Sequence, residues 1–351
     1  MRSDTWARGT PGARSSSRSD GIIDQDPALR AIVREEYGSP DVLELKEIEK
    51  PVPRDGEVLV KVHAASVNTA DLDYLRGRPA AARVVSGISR PRSNRIGLDV
   101  AGRVGAVGRD VTTLRVGDDV WADLFDFGQG AFAEYVCASE TAFTPMPSGV
   151  TFEQAATVPH SGVLALQGLL GYGEINPGET VLINGAGGCV GPFAIQLAKS
   201  FGAEVTGVDH GGKFDLMQLA GADHLIDYTH EDFVANGRSY DLILDIVDEH
   251  SVLHYQHSLG PGGRYVLIAR RLTGFAQAFL VGAGVSMTSS KRMGTFMWKA
   301  NNRVDLDLIK TLLENGKVKP IIDRRFELYE VPEALRYQEE GHARGKVIIT
   351  M

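Results

Sequence analysis

The sequence predicts an α/β protein in which a doubly wound parallel sheet is inserted into a β-rich domain. Three observations carry this. From Ala31 to about Ala156 the apolar residues mostly alternate with polar ones, as half-buried strands require. From about Val158 short apolar strands alternate with amphipathic helices. One strand of that second region runs through a glycine loop into a helix: VLINGAGGCVGPFAIQLAK, Val181 to Lys199. A chain of 351 residues is long enough for two cores. The expected divisions are a disordered tail over 1–27, a substrate domain over 28–156, a dinucleotide-binding domain over 157–297, and a return to the substrate domain over 298–351.

In chain order, the first 20 residues, MRSDTWARGTPGARSSSRSD, hold four Arg and five Ser with almost no aliphatic residue. Such a segment buries too little to order itself. Its Arg and Ser also resemble an organelle transit peptide. EVLVKVHAASVN (Glu57 to Asn68) alternates Val58, Val60 and Val62 with polar neighbours and reads as a strand. GLDVAGRVGAVG (Gly97 to Gly108) reads as a twisted hairpin, because no helical pattern follows its glycines. TVLIN is a buried strand. Val190, Phe193, Ala194, Leu197, Ala198 and Phe201 then recur on one helical face. AEVTGVD, HLIDY, YDLILDIV and GRYVLIA supply further strands. KFDLMQLAG is a helix stopped by Gly221, VDLDLIKTLLENG is another, and KVIIT closes the chain as a strand.

The loop is the chemical signal. A dinucleotide site needs a strand, a tight turn, close backbone approach to the pyrophosphate, and a helix N-terminus aimed at it. The spacing is G-x-x-G-x-x-G: Gly185, Gly188, Gly191, with Cys189 and Val190 between the last two. Pro192 falls in the first helical turn, where it costs little. Asp209 ends the next strand, placed to hold the ribose hydroxyls of NAD(H). Lys213 follows four residues later and suits the 2′-phosphate of NADP(H). Both cofactors are therefore expected to bind, with NADP(H) modestly preferred. Cys189 reads as a bystander: a helix N-terminus lowers a thiol pKa, but no His or Asp stands near it in sequence.

Composition excludes several classes. A net charge of −8 argues against a polyanionic partner. Two cysteines cannot build a disulfide framework or a four-cysteine zinc lobe. No apolar run is long enough to span a membrane. The expected setting is cytoplasmic, or an organelle if the N-terminus is a transit peptide. The expected partner is a small carbonyl or quinone, with neither nucleic acid nor membrane expected and a second copy of the chain, in a homodimer, as the candidate protein partner.

The chain resembles the zinc-independent branch of the medium-chain dehydrogenase/reductases, near the quinone oxidoreductases and reticulon-interacting oxidoreductases. The resemblance runs from Ala28 to Met351. It rests on VNTADLDYLRG, GLDVAGRVGAVG, VGDDVWA, GAFAEYVCAS, ATVPHSGVLALQGL, NGAGGCVG, GADHLIDY, PGGRYVLI and GHARGKVII, in that order. It implies a GroES-like β domain, a Rossmann domain, a cleft between them, and hydride transfer from a nicotinamide to an enone, quinone, aldehyde or ketone. A zinc-free alcohol or carbonyl dehydrogenase is an alternative, as is a nucleotide-sensing or nucleic-acid-binding protein without turnover.

The zinc alcohol dehydrogenases of that family carry Cys where this chain has Asn68, and Gly-His-Glu where it has Gly97, Leu98 and Asp99. No metal is therefore expected there. His250, His254 and His257 are spaced for one helical face but lack a carboxylate partner. By resemblance, Asn68 and Asp71 line the cleft and shape its base. Tyr74 offers a hydroxyl to polarise or protonate the substrate. Tyr228 follows the third strand beside the adenosine phosphate. Val247 is set by the cofactor, and Lys346 approaches it from the other domain or is an exposed lysine without a role. The chain departs from the family pattern at His160, Ser161, Leu164 and Asp248.

Overall fold

The computed structural model describes residues 27–268 and 272–351. The tail expected over 1–27 lies outside the described residues, apart from Pro27.

The β-rich half begins with an antiparallel pair, β1 (Ala28–Val33) and β2 (Glu44–Glu49). It continues through β3 (Glu57–Val67), β4 (Asp99–Val107), β5 (Asp119–Asp123), β6 (Tyr135–Ser139) and β7 (Thr144–Pro145). The inserted half holds β8 (Thr180–Asn184), β9 (Glu204–Asp209), β10 (His224–Asp227), β11 (Tyr240–Asp245), β12 (Leu259–Leu267) and β13 (Arg292–Thr295). The chain then returns as β14 (Ile322–Glu327) and β15 (Lys346–Thr350).

The inserted sheet is parallel throughout, in the order β10-β9-β8-β11-β12-β13. Its order reverses between β8 and β11, which opens a crevice at their C-terminal ends. The seven-stranded sheet runs β14-β15-β3-β4-β5-β7, with β6 on β3. β15 pairs antiparallel with β3, Val347 opposite Val67. The last strand of the chain is therefore locked into the first half, and the cleft residues of both halves are brought together.

Alternation in β3 is as the sequence implies: Val58, Val60, Val62 and Ala64 are buried, Lys61 and His63 are not. GLDVAGRVGAVG is not a hairpin. Residues 99–107 form one continuous strand between β3 and β5. Gly102 answers close strand packing, since a Cβ there would sit 2.1 Å from the Lys61 carbonyl oxygen. The helix Arg303–Glu314 falls in the return segment, yet its Leu306, Ile309, Leu312 and Leu313 pack into the same core as Val181, Ile183 and Leu197. The β-rich sheet resumes only at β14. No helix among the described residues is long and apolar enough to cross a membrane.

Candidate functional site

The glycine loop follows β8 and feeds the helix Gly191–Ser200, with Pro192 in its first turn. Its three spaced glycines answer three separate demands. Gly185 has φ +86, a left-handed turn that glycine adopts freely. A Cβ on Gly191 would lie 2.3 Å from the Ala186 carbonyl oxygen, so this glycine serves helix–strand packing. A Cβ on Gly188 would meet only the Gly185 oxygen, at 3.5 Å. Gly188 thus fronts open space, where a ligand's pyrophosphate can approach the backbone. These residues fit a dinucleotide.

Asp209 does end β9. Its carboxylate accepts from the Gly187 N–H at 2.8 Å and from the His210 N–H at 2.8 Å. Lys213 Nζ stands 3.6 Å from it. The two residues that pull the cofactor choice apart are thus an ion pair. Tyr228, one residue past β10, is 58% exposed and free to meet a ligand. Val247 faces Gly185: a Cβ on that glycine would lie 2.9 Å from Val247 Cγ2. The next residue, Asp248, is buried with φ +58, a conformation Asp tolerates better than most residues.

Sequence reasoning missed what fixes the crevice floor. Asn184 ends β8 and Asp245 ends β11. The Asn184 amide donates to Asp245 at 3.0 Å and to the Tyr255 hydroxyl at 3.2 Å. The Tyr265 hydroxyl and the Val247 N–H also donate to Asp245, at 2.9 and 3.1 Å. Burial first, then Asp245, holds both tyrosine hydroxyls far above their usual range.

Lys346 is not an exposed lysine. It is 1% exposed and stands at the centre of a buried polar cluster. Its ammonium donates to Asn68 Oδ1 at 2.6 Å, Ser161 Oγ at 3.1 Å and Asp99 Oδ2 at 3.4 Å. The Asn68 amide and the Ser66 hydroxyl donate to the same Asp99 oxygen, at 2.9 and 3.0 Å. The other Asp99 oxygen accepts the His160 N–H at 2.8 Å. Burial raises the Asp99 pKa and Lys346 opposes it. Asn68 and Asp71 lie beneath the cleft rather than on its wall, at 1% and 0% exposure. Asp71 accepts the Asn68 N–H at 2.7 Å and starts the helix Thr69–Arg76. Burial pushes its carboxyl up to about 7.

Tyr74 belongs to a half-exposed aromatic wall. Its ring meets Phe125 edge-on at 5.5 Å. Phe125 meets Trp298 at 4.8 Å, and Trp298 meets His160 at 4.8 Å. These rings come from both halves of the chain. The Tyr74 hydroxyl is pushed up to about 12 by burial, then by Asp126, Asp123 and Asp71. His160 Nδ1 lies 2.8 Å from Asp123 Oδ2. Sequence reasoning noted His160 and Ser161 only as departures. The usable signal was a His and two Asp, at 99 and 123, on elements bordering one cleft.

Cys189 is buried, with Sγ 3.3 Å from Gln338 Oε1. Burial raises its thiol pKa, against Lys346 and Gln338. The three histidines do not share a helix. His254 lies in the short helix Val252–Tyr255, His250 precedes it, and His257 sits in the following 3₁₀ turn. Only the His250 and His254 rings stack. The cluster around Lys346 does not fit a zinc ion: an ammonium already occupies its centre, and Asn68 and Asp99 are committed to it. Among the described residues no group of three His, Cys, Asp or Glu is placed to hold a metal.

Residues 54–148 match the family model for the alcohol dehydrogenase GroES-like domain, and residues 220–349 match the model described as zinc-binding dehydrogenase. The human mitochondrial NAD(P)H oxidoreductase RTN4IP1 is 33% identical, over 92% of this chain and 89% of that protein. The chloroplastic quinone-oxidoreductase QR1 of Triphysaria versicolor is 31% identical, over 92% and 98%. The solved quinone oxidoreductase of Coxiella burnetii superposes with a TM-score of 0.82 at 30% identity, covering 92% of this chain and 99% of that one.

Proposed function

The chain belongs to the medium-chain dehydrogenase/reductase family, in its quinone-oxidoreductase-like branch, and from that premise we propose that it reduces a quinone or an α,β-unsaturated carbonyl with NAD(P)H. It is an oxidoreductase of that family. The observation that carries the substrate class is the crevice itself: an open glycine loop at the switch point of the sheet, bordered by a conjugated, mostly apolar wall of Tyr74, Phe125 and Trp298. Planar conjugated carbonyls suit such a wall. Another relative, the 2-methylene-furan-3-one reductase of Solanum lycopersicum, is 33% identical over 90% of this chain and 77% of that protein.

Bound in the crevice, the nicotinamide supplies the hydride. Gly188 and the start of the helix Gly191–Ser200 would receive the pyrophosphate, Val247 would close the far side of Gly185, and Asp209 with Lys213 and Tyr228 would hold the adenosine end. The Lys346 cluster fixes Asn68 and the base of the cleft, without metal. Tyr74 keeps its proton through neutral pH and orients the substrate carbonyl by hydrogen bond. NADP(H) is favoured modestly, because Lys213 neutralises Asp209. The relatives' mitochondrial and chloroplastic names, with the Arg/Ser-rich N-terminus, favour an organelle over the cytoplasm. Loss of NADPH absorbance with 1,4-benzoquinone and with an alkyl vinyl ketone tests the reading. Binding of NADPH without oxidation by either substrate would reject it.

A further inference from the structure

His160 faces two ways. Its Nδ1 is fixed on the buried Asp123 at 2.8 Å. Its Nε2 makes no hydrogen bond among the described residues, and 10% of the side chain is exposed. The ring stands at the end of the wall Tyr74–Phe125–Trp298. Its backbone N–H is bound to Asp99, which is itself bound to Lys346, so His160 is anchored to the cluster at the base of the cleft.

Asp123 is held in turn. One carboxylate oxygen accepts the Phe125 N–H at 2.8 Å. Its backbone N–H donates to Asn301 Oδ1 at 3.1 Å, and its carbonyl accepts from the Asn301 amide at 2.6 Å. Asn301 lies three residues beyond Trp298, so one pair of hydrogen bonds fixes both the partner of His160 and the ring beside it. A buried carboxylate on Nδ1 sets the ring so that a proton on it is presented at Nε2, toward the open side.

We propose that His160 is the proton donor of the reduction, acting through Nε2 on the oxygen of an α,β-unsaturated carbonyl, and that Asp123 is its positioning residue. This rests on the reductase reading given above. As hydride forms the new C–H bond at the β carbon, the C=C π electrons shift toward the carbonyl and its oxygen gains a pair. The Nε2–H bond breaks and its proton passes to that oxygen. Two electrons have moved from dinucleotide to substrate, which is now an enol. Neutral His160 regains its proton from water, and the enol tautomerises in solvent. Tyr74, with its hydroxyl pushed up to about 12, is the weaker acid of the two and holds rather than protonates.

The titratable groups facing His160 come from four elements: Asp123 of β5, Asp99 of β4, Lys346 of β15 and Asp71 of the helix Thr69–Arg76. Burial pulls the imidazolium pKa down and Lys346 adds to that. The Asp123 charge and hydrogen bond, with Asp99, outweigh them and hold it above its ordinary value. The charged donor therefore persists to higher pH than on an ordinary histidine and is lost as pH rises through that raised value.

The test compares wild type, His160→Gln and Asp123→Asn, each checked for folding by circular dichroism and for NADPH affinity. With an alkyl vinyl ketone, His160→Gln is expected to lower kcat by about 100-fold with NADPH affinity unchanged. It also removes the fall in rate with rising pH, and Asp123→Asn moves that fall to lower pH. Histidine ring NMR of the ligand-free protein gives an independent reading: the His160 proton is lost above pH 6.5 in wild type and at lower pH in Asp123→Asn. A His160→Gln enzyme within about threefold of wild type, or one with the same pH profile, overturns the proposal while leaving the reductase reading intact. A wild type that binds NADPH and reduces no substrate overturns both.

Discussion

Lys346 and Asn68 lie 278 residues apart in sequence and 2.6 Å apart in space, the ammonium of one donating to the amide oxygen of the other. The contact joins the first residue of β15 to the start of the helix Thr69–Arg76. Around it, one buried cation and one buried anion, Asp99, are held with Ser66 and Ser161. Buried charges of this kind are costly to desolvate, and the cost is recovered only when every partner is present. Lys346→Met should therefore destabilise the protein by about 3–5 kcal/mol, because Asp99 is left unpaired. Adding Asp99→Asn to the same chain should recover much of that. Urea unfolding of the two single variants and the double variant gives the coupling. Additive losses would mean that the two charges do not compensate each other.

Gly188 and Gly191 should separate binding from folding. A Cβ at Gly188 meets nothing closer than 3.5 Å, whereas one at Gly191 meets backbone at 2.3 Å. Gly188→Val is expected to keep the wild-type Tm and lose NADPH binding, since its side chain enters the space left for the pyrophosphate. Gly191→Ala is expected to lower Tm. NADPH titration and thermal unfolding of both variants check this. Unchanged affinity in Gly188→Val would make the loop a structural turn only.

Cys189 should be chemically quiet. It is buried, its thiol is raised by that burial, and its sulfur contacts Gln338 rather than a base. Alkylation by iodoacetamide at pH 7.5 (about one pH unit below a free thiol's pKa) is expected to spare it in the folded protein. Cys189→Ala should retain turnover. A loss beyond about 100-fold, equivalent to roughly 2.7 kcal/mol of barrier, would place the thiol in the mechanism.

Asp71 gives stability a pH dependence of definite sign. Its carboxyl is pushed from 3.8 to about 7 in the fold by burial. Between those values the native protein holds a proton that the unfolded chain has released, so stability falls as pH rises across the window and levels off above it. The loss across that window is on the order of 4 kcal/mol. Asp71→Asn keeps an acceptor for the Asn68 N–H and removes the titration. Its unfolding free energy should change less between pH 4 and pH 7 (about the two ends of that window) than the wild type's. Parallel profiles for the two proteins would show that Asp71 is not the group responsible.

What the sequence discloses about this site is what lies close together along the chain. Gly185, Gly188, Gly191 and Asp209 are spaced by one strand, one helix and one strand, so periodicity alone orders them. The Lys346 cluster draws on segments near 66, 99, 160 and 346, and no local pattern connects these. His160 with Asp123, and Asn184 with Asp245, are likewise brought together by sheet register and the inter-domain cleft rather than by spacing. The glycines of β4 mislead for a related reason. Glycine signals a turn locally, but Gly102 is needed because another strand's backbone passes close by.

The proposed cofactor preference rests on Asp209 and Lys213. A lone carboxylate at Asp209 would repel a 2′-phosphate by roughly 4 kcal/mol per charge pair at about 4 Å with an effective dielectric near 20. Asp209 is not alone: Lys213 Nζ lies 3.6 Å away, and the Gly187 and His210 N–H groups bind the carboxylate. Lys213 thus offsets the repulsion and can turn its charge toward the phosphate, while Asp209 retains lone pairs for ribose hydroxyls. The side chains are 17% and 12% exposed, so salt screens the pair only in part. Lys213→Ala should lower kcat/KM with NADPH by about tenfold, equivalent to about 1.4 kcal/mol, and change NADH little. Asp209→Ala should raise the NADPH-to-NADH ratio. Steady-state kinetics with both cofactors across the three proteins decides the matter. A ratio unmoved by Lys213→Ala would leave Asp209 alone in control, with NADH as the preferred cofactor.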